Sequence, residues 1–224
     1  MDVSLSFFKK PHKIKKESSH RFNRWSRKYD RSILQFLMFS RSHDLFIENI
    51  LRERGISRVL DIGCGTGEFA IKLKKYKSSA EIFGIDISED MINTAKSKPA
   101  AEGIDFRTGD SENIPHDDDY FDCITCAHSF HHYPHKKKAV REMFRVLRNN
   151  GTLMIIDGCK DGLLGKVIFD FFVKAHEVNV HHLHSSQFRR IMANAGFENI
   201  VQARFNLFIP LLFTKGVAGK EGKC

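Results

Sequence analysis

Residues 57–157 predict an α/β domain built on a parallel sheet with helices on both faces, and three observations carry that prediction. Short apolar runs alternate with segments of helical periodicity at a spacing of roughly 20 residues, the pattern of βα units rather than of an antiparallel meander. The first two apolar runs each end in an acidic residue, Asp61 and Asp86. Between them lies Gly63-Cys64-Gly65-Thr66-Gly67, where glycines supply left-handed backbone and close approach to a ligand. About seven strands are expected, with the chain's end forming an antiparallel edge.

Taken in order, residues 1–20 carry Lys9, Lys10, Lys13, Lys15 and Lys16 without periodicity and read as a flexible basic arm. Arg21 to Tyr29 is a short amphipathic helix candidate, and residues 21–56 together read as an N-terminal helical lid. Asp44 to Arg54 has Leu45, Ile47, Ile50 and Leu51 at helical spacing and stops before Gly55. The main domain, 57–217, then runs strand 57–62, helix 67–77, strand 81–86, helix 89–97, strand 104–108, strand 121–127, helix 136–148 and strand 152–157. An interlude from Gly158 to His184 holds the apolar segment Leu163 to Val173. Ser185 or Ser186 should cap a helix that Gly196 ends. Apolar stretches 197–204 and 207–214 complete the sheet. Pro210 has no N–H for a ladder and should mark a strand start or a bulge. Residues 218–224 read as a tail.

The chain has 224 residues and a net charge of +9. Residues 1–31 hold ten Lys/Arg and three Asp/Glu, a balance of +7 that leaves +2 for the other 193. The basic character therefore belongs to the arm, which could touch anionic lipid or nucleic acid or simply stay solvated. No apolar run approaches the roughly 20 residues of a membrane span. Ser4 to Phe8 is too short for a signal-peptide core of about 7–15 residues. A cytoplasmic protein is expected. Five cysteines, an odd number, argue against a disulfide framework. Cys123 and Cys126 form a Cys-x-x-Cys, but within a strand i and i+3 face opposite sides, so two separate buried thiols are expected rather than a metal or redox pair.

The ordered motifs resemble those of class I S-adenosylmethionine-dependent methyltransferases over about Tyr29 to Phe213. Val59-Leu-Asp61-Ile-Gly63-Cys64-Gly65-Thr66-Gly67 resembles the family's glycine loop, and Gly84-Ile-Asp86-Ile87-Ser88-Glu-Asp90-Met91 its second motif. Phe106 to Pro115 resembles the adenine-contacting segment, and Phe121 to His132 the fourth strand with its loop. Ala139 to Leu147 and Gly151 to Ile156 resemble the next helix and strand. The pattern is similar to the small-molecule branch that includes ubiquinone and menaquinone C-methyltransferases. It departs in having Arg148-Asn-Asn-Gly151 for Lys-Pro-Gly-Gly, and Ala127-His128-Ser129-Phe130 where base-amino methyltransferases carry Asn/Asp-Pro-Pro-Tyr/Phe.

The resemblance implies a single Rossmann-like doubly wound sheet with the last strand antiparallel, and S-adenosylmethionine as cofactor. It implies that Asp61 binds the ligand's amino group directly or through water and orients the loop, and that the backbone at Gly63, Gly65 and Gly67 meets its methionine and ribose portions, with Cys64 a further cofactor-binding residue of that loop. Asp86 would accept from the ribose hydroxyls, Ile87 and Met91 would pack on adenine, and Asp110 with Ser111 would meet the adenine amino group. Ala127 and His128 would lie beneath the methionine part. Tyr29, at the end of the lid helix, either lies near the cofactor or belongs to a helix that only covers the core. His128 and His131 are the candidates for a catalytic base, the alternative being ordinary loop residues. No metal is expected, because no acidic residue accompanies the histidines at a recognisable spacing and adjacent His131 and His132 should point apart. The expected partner is a small or lipid-like acceptor, without nucleic acid and with the oligomeric state open. The alternatives are an RNA or protein methyltransferase recruited by the arm, and a non-catalytic cofactor binder.

Overall fold

The computed structural model describes residues 33–162, 165, 168, 180–205 and 210–220. The arm, the first lid helix with Tyr29, and most of the apolar interlude lie outside these residues. The elements are helix α1 (Ile33–Arg52), β1 (Arg58–Ile62), α2 (Glu68–Tyr76), β2 (Glu81–Asp86), α3 (Glu89–Ser97), β3 (Ile104–Thr108), β4 (Phe121–Ala127), α4 (Lys136–Val146), β5 (Leu147–Gly158), α5 (Ser185–Ala195), β6 (Phe197–Phe205) and β7 (Leu211–Ala218). The strands form one seven-stranded sheet in the order β3-β2-β1-β4-β5-β7-β6. β1 to β5 are mutually parallel, and β7 runs antiparallel between β5 and β6.

Strand alternation divides the core in two. Val59, Cys123 and Met154 pack with Phe46, Ile50, Phe69, Leu73 and Ile92 from α1, α2 and α3 on one face. Their strand neighbours Leu60, Ile124 and Leu153 pack with Val140, Met143, Phe188 and Met192 from α4 and α5 on the other. This is the two-residue period of a strand, and it separates Cys123 from Cys126, which lie in opposite clusters. All four described cysteines are free and buried.

Several expected boundaries move. Helix α1 spans Ile33–Arg52, starting eleven residues before the expected Asp44; Phe39, His43, Phe46 and Ile50 continue one face at helical spacing. Helix α4 ends at Val146 and β5 starts at Leu147, with Asn150 left-handed (φ 61°) in the turn segment. The final strand is described from Leu211 to Ala218, its expected start at 207 lying outside the described residues, and Pro210 directly precedes it, its carbonyl accepting from the Cys159 N–H at 2.9 Å. Neither serine caps α5. His184 occupies that position, its N–H donating to Gln187 Oε1 at 2.9 Å, while the Ser185 hydroxyl turns to Asp161. Gly196 ends the helix left-handed, at φ 106°.

β1 and β4 are neighbours, yet the chain leaves β1 toward β2 on one side and returns to β4 on the other. Loops after these strands diverge there, leaving a crevice at their carboxyl ends, where ligands bind in doubly wound sheets.

Candidate active site

A cavity of about 640 Å3 occupies that crevice. Its floor is the carboxyl end of β1, Asp61 to Gly65, flanked by Ile85, Asp86 and Ile87 after β2 and by Gly109, Asp110 and Ser111 after β3. Ala127, His128 and Ser129 close it from β4. Phe39, Ser40 and His43 from α1 contribute to the wall.

The glycine loop is held by backbone and carboxylate hydrogen bonds. Gly63 and Cys64 both donate to the Ile85 carbonyl, at 2.8 and 3.1 Å, and Gly67 donates to the Cys64 carbonyl at 2.9 Å. Asp86 Oδ2 accepts from the Gly65 N–H at 3.0 Å and Oδ1 from the Ser88 N–H at 2.8 Å. A carboxylate has about four acceptor sites, so Asp86 retains capacity toward the cavity it lines. Burial pushes its pKa up against these N–H donors. Ser88 then caps α3 by accepting from the Met91 N–H at 3.2 Å.

The glycines differ in what they do. At Gly65, φ is +53° and a Cβ would meet nothing within 4 Å, so this position opens into the cavity. At Gly67, φ is +79° and a Cβ would lie 2.6 Å from Phe106 Cζ. Gly67 is not part of the cavity lining, and the absence of its side chain lets α2 pack against β3. Gly63 lines the cavity, but a Cβ there would collide with Ser129.

Asp61 is 4% exposed and accepts from the Thr125 hydroxyl at 2.8 Å. Burial raises its pKa to about 7, against the lowering effect of that hydrogen bond. At the far end Asp110 Oδ1 accepts from the Glu112 N–H at 2.9 Å, and Ser111 and Met91 complete that part of the lining.

His128 has left-handed backbone (φ 52°), uncommon for a residue with a side chain. Its N–H donates to the Ile156 carbonyl at 2.8 Å, its Nε2 lies 2.9 Å from Ser42 Oγ, and Phe39 packs on its ring at 4.6 Å. Burial lowers its pKa to about 4, and burial also lowers that of His43 to about 4. Both rings are therefore neutral at neutral pH. His131 sits elsewhere: it is outside the cavity lining, with Nδ1 2.6 Å from Asp157 Oδ1. His132, next in sequence, does line the cavity. The two rings do not point apart, their centroids being 4.1 Å from each other, because the chain here makes a 3-10 turn (Phe130–His132) rather than extended structure.

Of the expected cofactor contacts, Asp61, Gly63, Cys64, Gly65, Asp86, Ile87, Met91, Asp110, Ser111, Ala127 and His128 are brought together around one cavity. Phe39, Ser40, His43 and Tyr133 join them without having been expected. The available signal for the α1 residues was the spacing Phe39, His43, Phe46, Ile50, three or four apart on one helical face.

A family model described as a methyltransferase domain matches residues 55–196, more than half of the chain. The chain belongs to this methyltransferase domain family. Its fold is that of the class I S-adenosylmethionine-dependent methyltransferases. Within the family, it is 38% identical over 107 residues to an uncharacterized methyltransferase, YcgJ, of Bacillus subtilis (strain 168), covering 46% of this chain and 42% of that protein. It is 33% identical over 151 residues to a demethylmenaquinone methyltransferase of Staphylococcus aureus (strain MRSA252), covering 65% and 62%. The matched stretch thus spans between 42% and 62% of the length of these curated relatives. The crystal structure of magnesium protoporphyrin IX methyltransferase from Synechocystis PCC 6803, with bound SAH, superposes with a TM-score of 0.73 at 19% identity, covering 92% of this methyltransferase-family chain and 100% of that one. At that identity the likeness is one of fold.

Proposed function

We propose that this chain transfers a methyl group from S-adenosylmethionine to a small or lipid-like acceptor. The observation that carries the reading is the glycine loop: Gly65 presents a side-chain-free, left-handed backbone to the cavity directly beside the Asp86 carboxylate, which accepts from its N–H. A sulfonium-bound methyl is already activated for displacement, so the protein's contribution is orientation and exclusion of water.

In this reading Asp61 pairs with the amino group of the methionine portion, Asp86 accepts from the ribose hydroxyls, and Asp110 with Ser111 meets the adenine, with Ile87 and Met91 against its faces. Phe39, His43 and His128 form a mostly apolar wall of rings on the opposite side. Their packing against one another and on Phe69, at 4.6–6.5 Å between centroids, leaves flat surfaces suited to a flat, weakly polar acceptor. A demethylmenaquinone methyltransferase among the relatives is in keeping with that chemistry. His128, held by Ser42, contributes its ring to this wall, and the burial that lowers its pKa to about 4 makes it a weak base rather than one matched to neutral pH. Free, buried cysteines favour a reducing compartment, and we place the reaction in the cytoplasm. Among the described residues no helix is long and apolar enough to cross a membrane.

The test has two stages. Calorimetry should show binding of S-adenosylhomocysteine in the micromolar range. Incubation of the chain and S-adenosylmethionine with a lipid and quinone extract should then yield a species heavier by one methyl group. Absence of binding of either ligand to folded protein would overturn the reading.

A further inference from the structure

Three side chains of ligand type converge behind the cavity wall without any motif linking them. His131 comes from the turn after β4, Asp157 from β5, and His182 from the segment before α5. Each offers one donor atom, and the three atoms lie within 4.8 Å of one another. His131 Nδ1 is 2.6 Å and His182 Nδ1 3.7 Å from the same oxygen, Asp157 Oδ1. The two imidazoles are stacked, 4.5 Å between centroids at an angle of 30°, so both present the same ring nitrogen to one carboxylate.

We propose that His131, Asp157 and His182 bind one divalent transition-metal ion, with zinc as the ion whose donor preferences they meet. Two imidazole nitrogens and one carboxylate oxygen are a zinc set that leaves a fourth tetrahedral position open. With metal–ligand bonds of about 2.0–2.1 Å, tetrahedral donors stand roughly 3.3 Å apart. The His182–Asp157 separation needs to close by a few tenths of an ångström, the His131–Asp157 hydrogen bond to open by about 0.7 Å, and the two imidazole nitrogens, within 4.8 Å of each other, to close by up to about 1.5 Å through rotation of the rings. The ion takes the place of the proton between His131 Nδ1 and Asp157; the neutral ring binds as its other tautomer, the Nδ1 proton being lost to solvent and Nε2 taking one up, so that no net proton is released.

The frame around these ligands is rigid. Asp157 Oδ2 accepts from the His131 N–H and Oδ1 from the Gly158 N–H, each at 2.7 Å, which fixes the carboxylate plane. The segment carrying His182 is tied on both sides: the His181 N–H donates to the His131 carbonyl and the Lys160 N–H to the Leu183 carbonyl, both at 3.1 Å. Asp157 is 1% and His182 8% exposed, so an ion here is screened from water and held by groups that folding has already assembled. An opposing charge is Lys136, whose Nζ is engaged by the carbonyls of His131 and Tyr133 at 3.1 and 2.9 Å. His132, packed on His131, separates the site from the cavity. The alternative occupant is the proton alone, with the cluster a buried hydrogen-bonded network.

The full chain, stripped with chelator and dialysed, would be titrated with zinc by calorimetry and with cobalt(II) by visible absorption. One equivalent per chain at micromolar affinity or tighter is expected, with the intense d–d bands of tetrahedral cobalt and a raised melting temperature. Asp157→Asn and His182→Phe, the latter keeping a ring against His131, should each weaken zinc at least tenfold, whereas exposed His135→Ala should not. Circular dichroism establishes which variants fold, so the test stands if either does. No stoichiometric binding, or binding that survives His182→Phe and so belongs to other histidines, would overturn the proposal. Calorimetry with S-adenosylhomocysteine on the same samples reads the methyl-donor site separately.

Discussion

Ser42 Oγ and His128 Nε2 lie 2.9 Å apart across 86 residues of chain, joining the N-terminal helix to the loop after β4. Ser42 is fully buried. Ser42→Ala therefore leaves a buried ring nitrogen short of a partner, a cost of about 1–3 kcal/mol. Urea unfolding should register that loss. A change below about 0.5 kcal/mol would mean the contact adds nothing to the docking of α1.

Gly65 and Gly67 should separate binding from stability. Gly65→Val puts a branched side chain into the cavity, and the protein should fold with a penalty of about 1–2 kcal/mol for its left-handed backbone while losing S-adenosylhomocysteine binding. Gly67→Ala forces a Cβ into Phe106 and carries the same backbone penalty, so its melting temperature should fall further than that of the Gly65 variant. Retained binding in Gly65→Val would show that the loop does not meet the ligand.

Asp61 gives cofactor binding a pH dependence. Burial raises its pKa to about 7, so the carboxyl is largely protonated at pH 6 and ionised at pH 8. Only the ionised form pairs with an ammonium group, and affinity should rise several-fold across that interval. Binding near pH 7 should release protons, because the ammonium lowers the pKa of the carboxylate it contacts. Calorimetry in buffers of different ionisation enthalpy measures both. A flat profile without proton release would remove Asp61 from the amino-group role. Thr125→Val, which deletes a hydrogen bond that lowers this pKa, should shift the profile upward.

Acid should loosen the end of the sheet through Asp161. Burial alone would raise this carboxyl, but the Ser185 hydroxyl and N–H, the His184 ring and Arg204 (2.5 Å) bring its pKa down to about 2. A depressed folded-state pKa stabilises above the unfolded value of about 4, and that contribution disappears as pH falls from about 4 to about 2. Allowing for solvent at Arg204, it amounts to about 1–2 kcal/mol. Wild type and Asp161→Asn should therefore differ in unfolding free energy at pH 6 and converge at pH 2. Equal stabilities at pH 6 would contradict the assignment.

Sequence by itself determined the sheet from β1 to β5 and the glycine loop. Strand spans 81–86, 104–108 and 121–127 and helix 89–97 coincide with expectation, because apolar runs and helical periodicity are local signals. Asp61, Gly65 and Asp86 could be singled out for the same reason, since each ends a strand or opens the turn of a βα unit, whereas Asp110, in the loop between β3 and β4, was singled out only through the family resemblance. Only the tertiary structure decided what stands opposite them. Phe39, Ser40 and His43 reach the cavity because α1 buries Phe46 and Ile50 against β1 and α2, a contact no local window records. Asp157, which looks like one more strand residue in β5, becomes the shared partner of His131 and His182. Those residues lie 26 and 25 positions away, and only the parallel pairing of β4 with β5 and the return of the chain before α5 carry them to one carboxylate. Period and turn chemistry act over a few residues, whereas burial of charged and imidazole groups depends on which strands become neighbours.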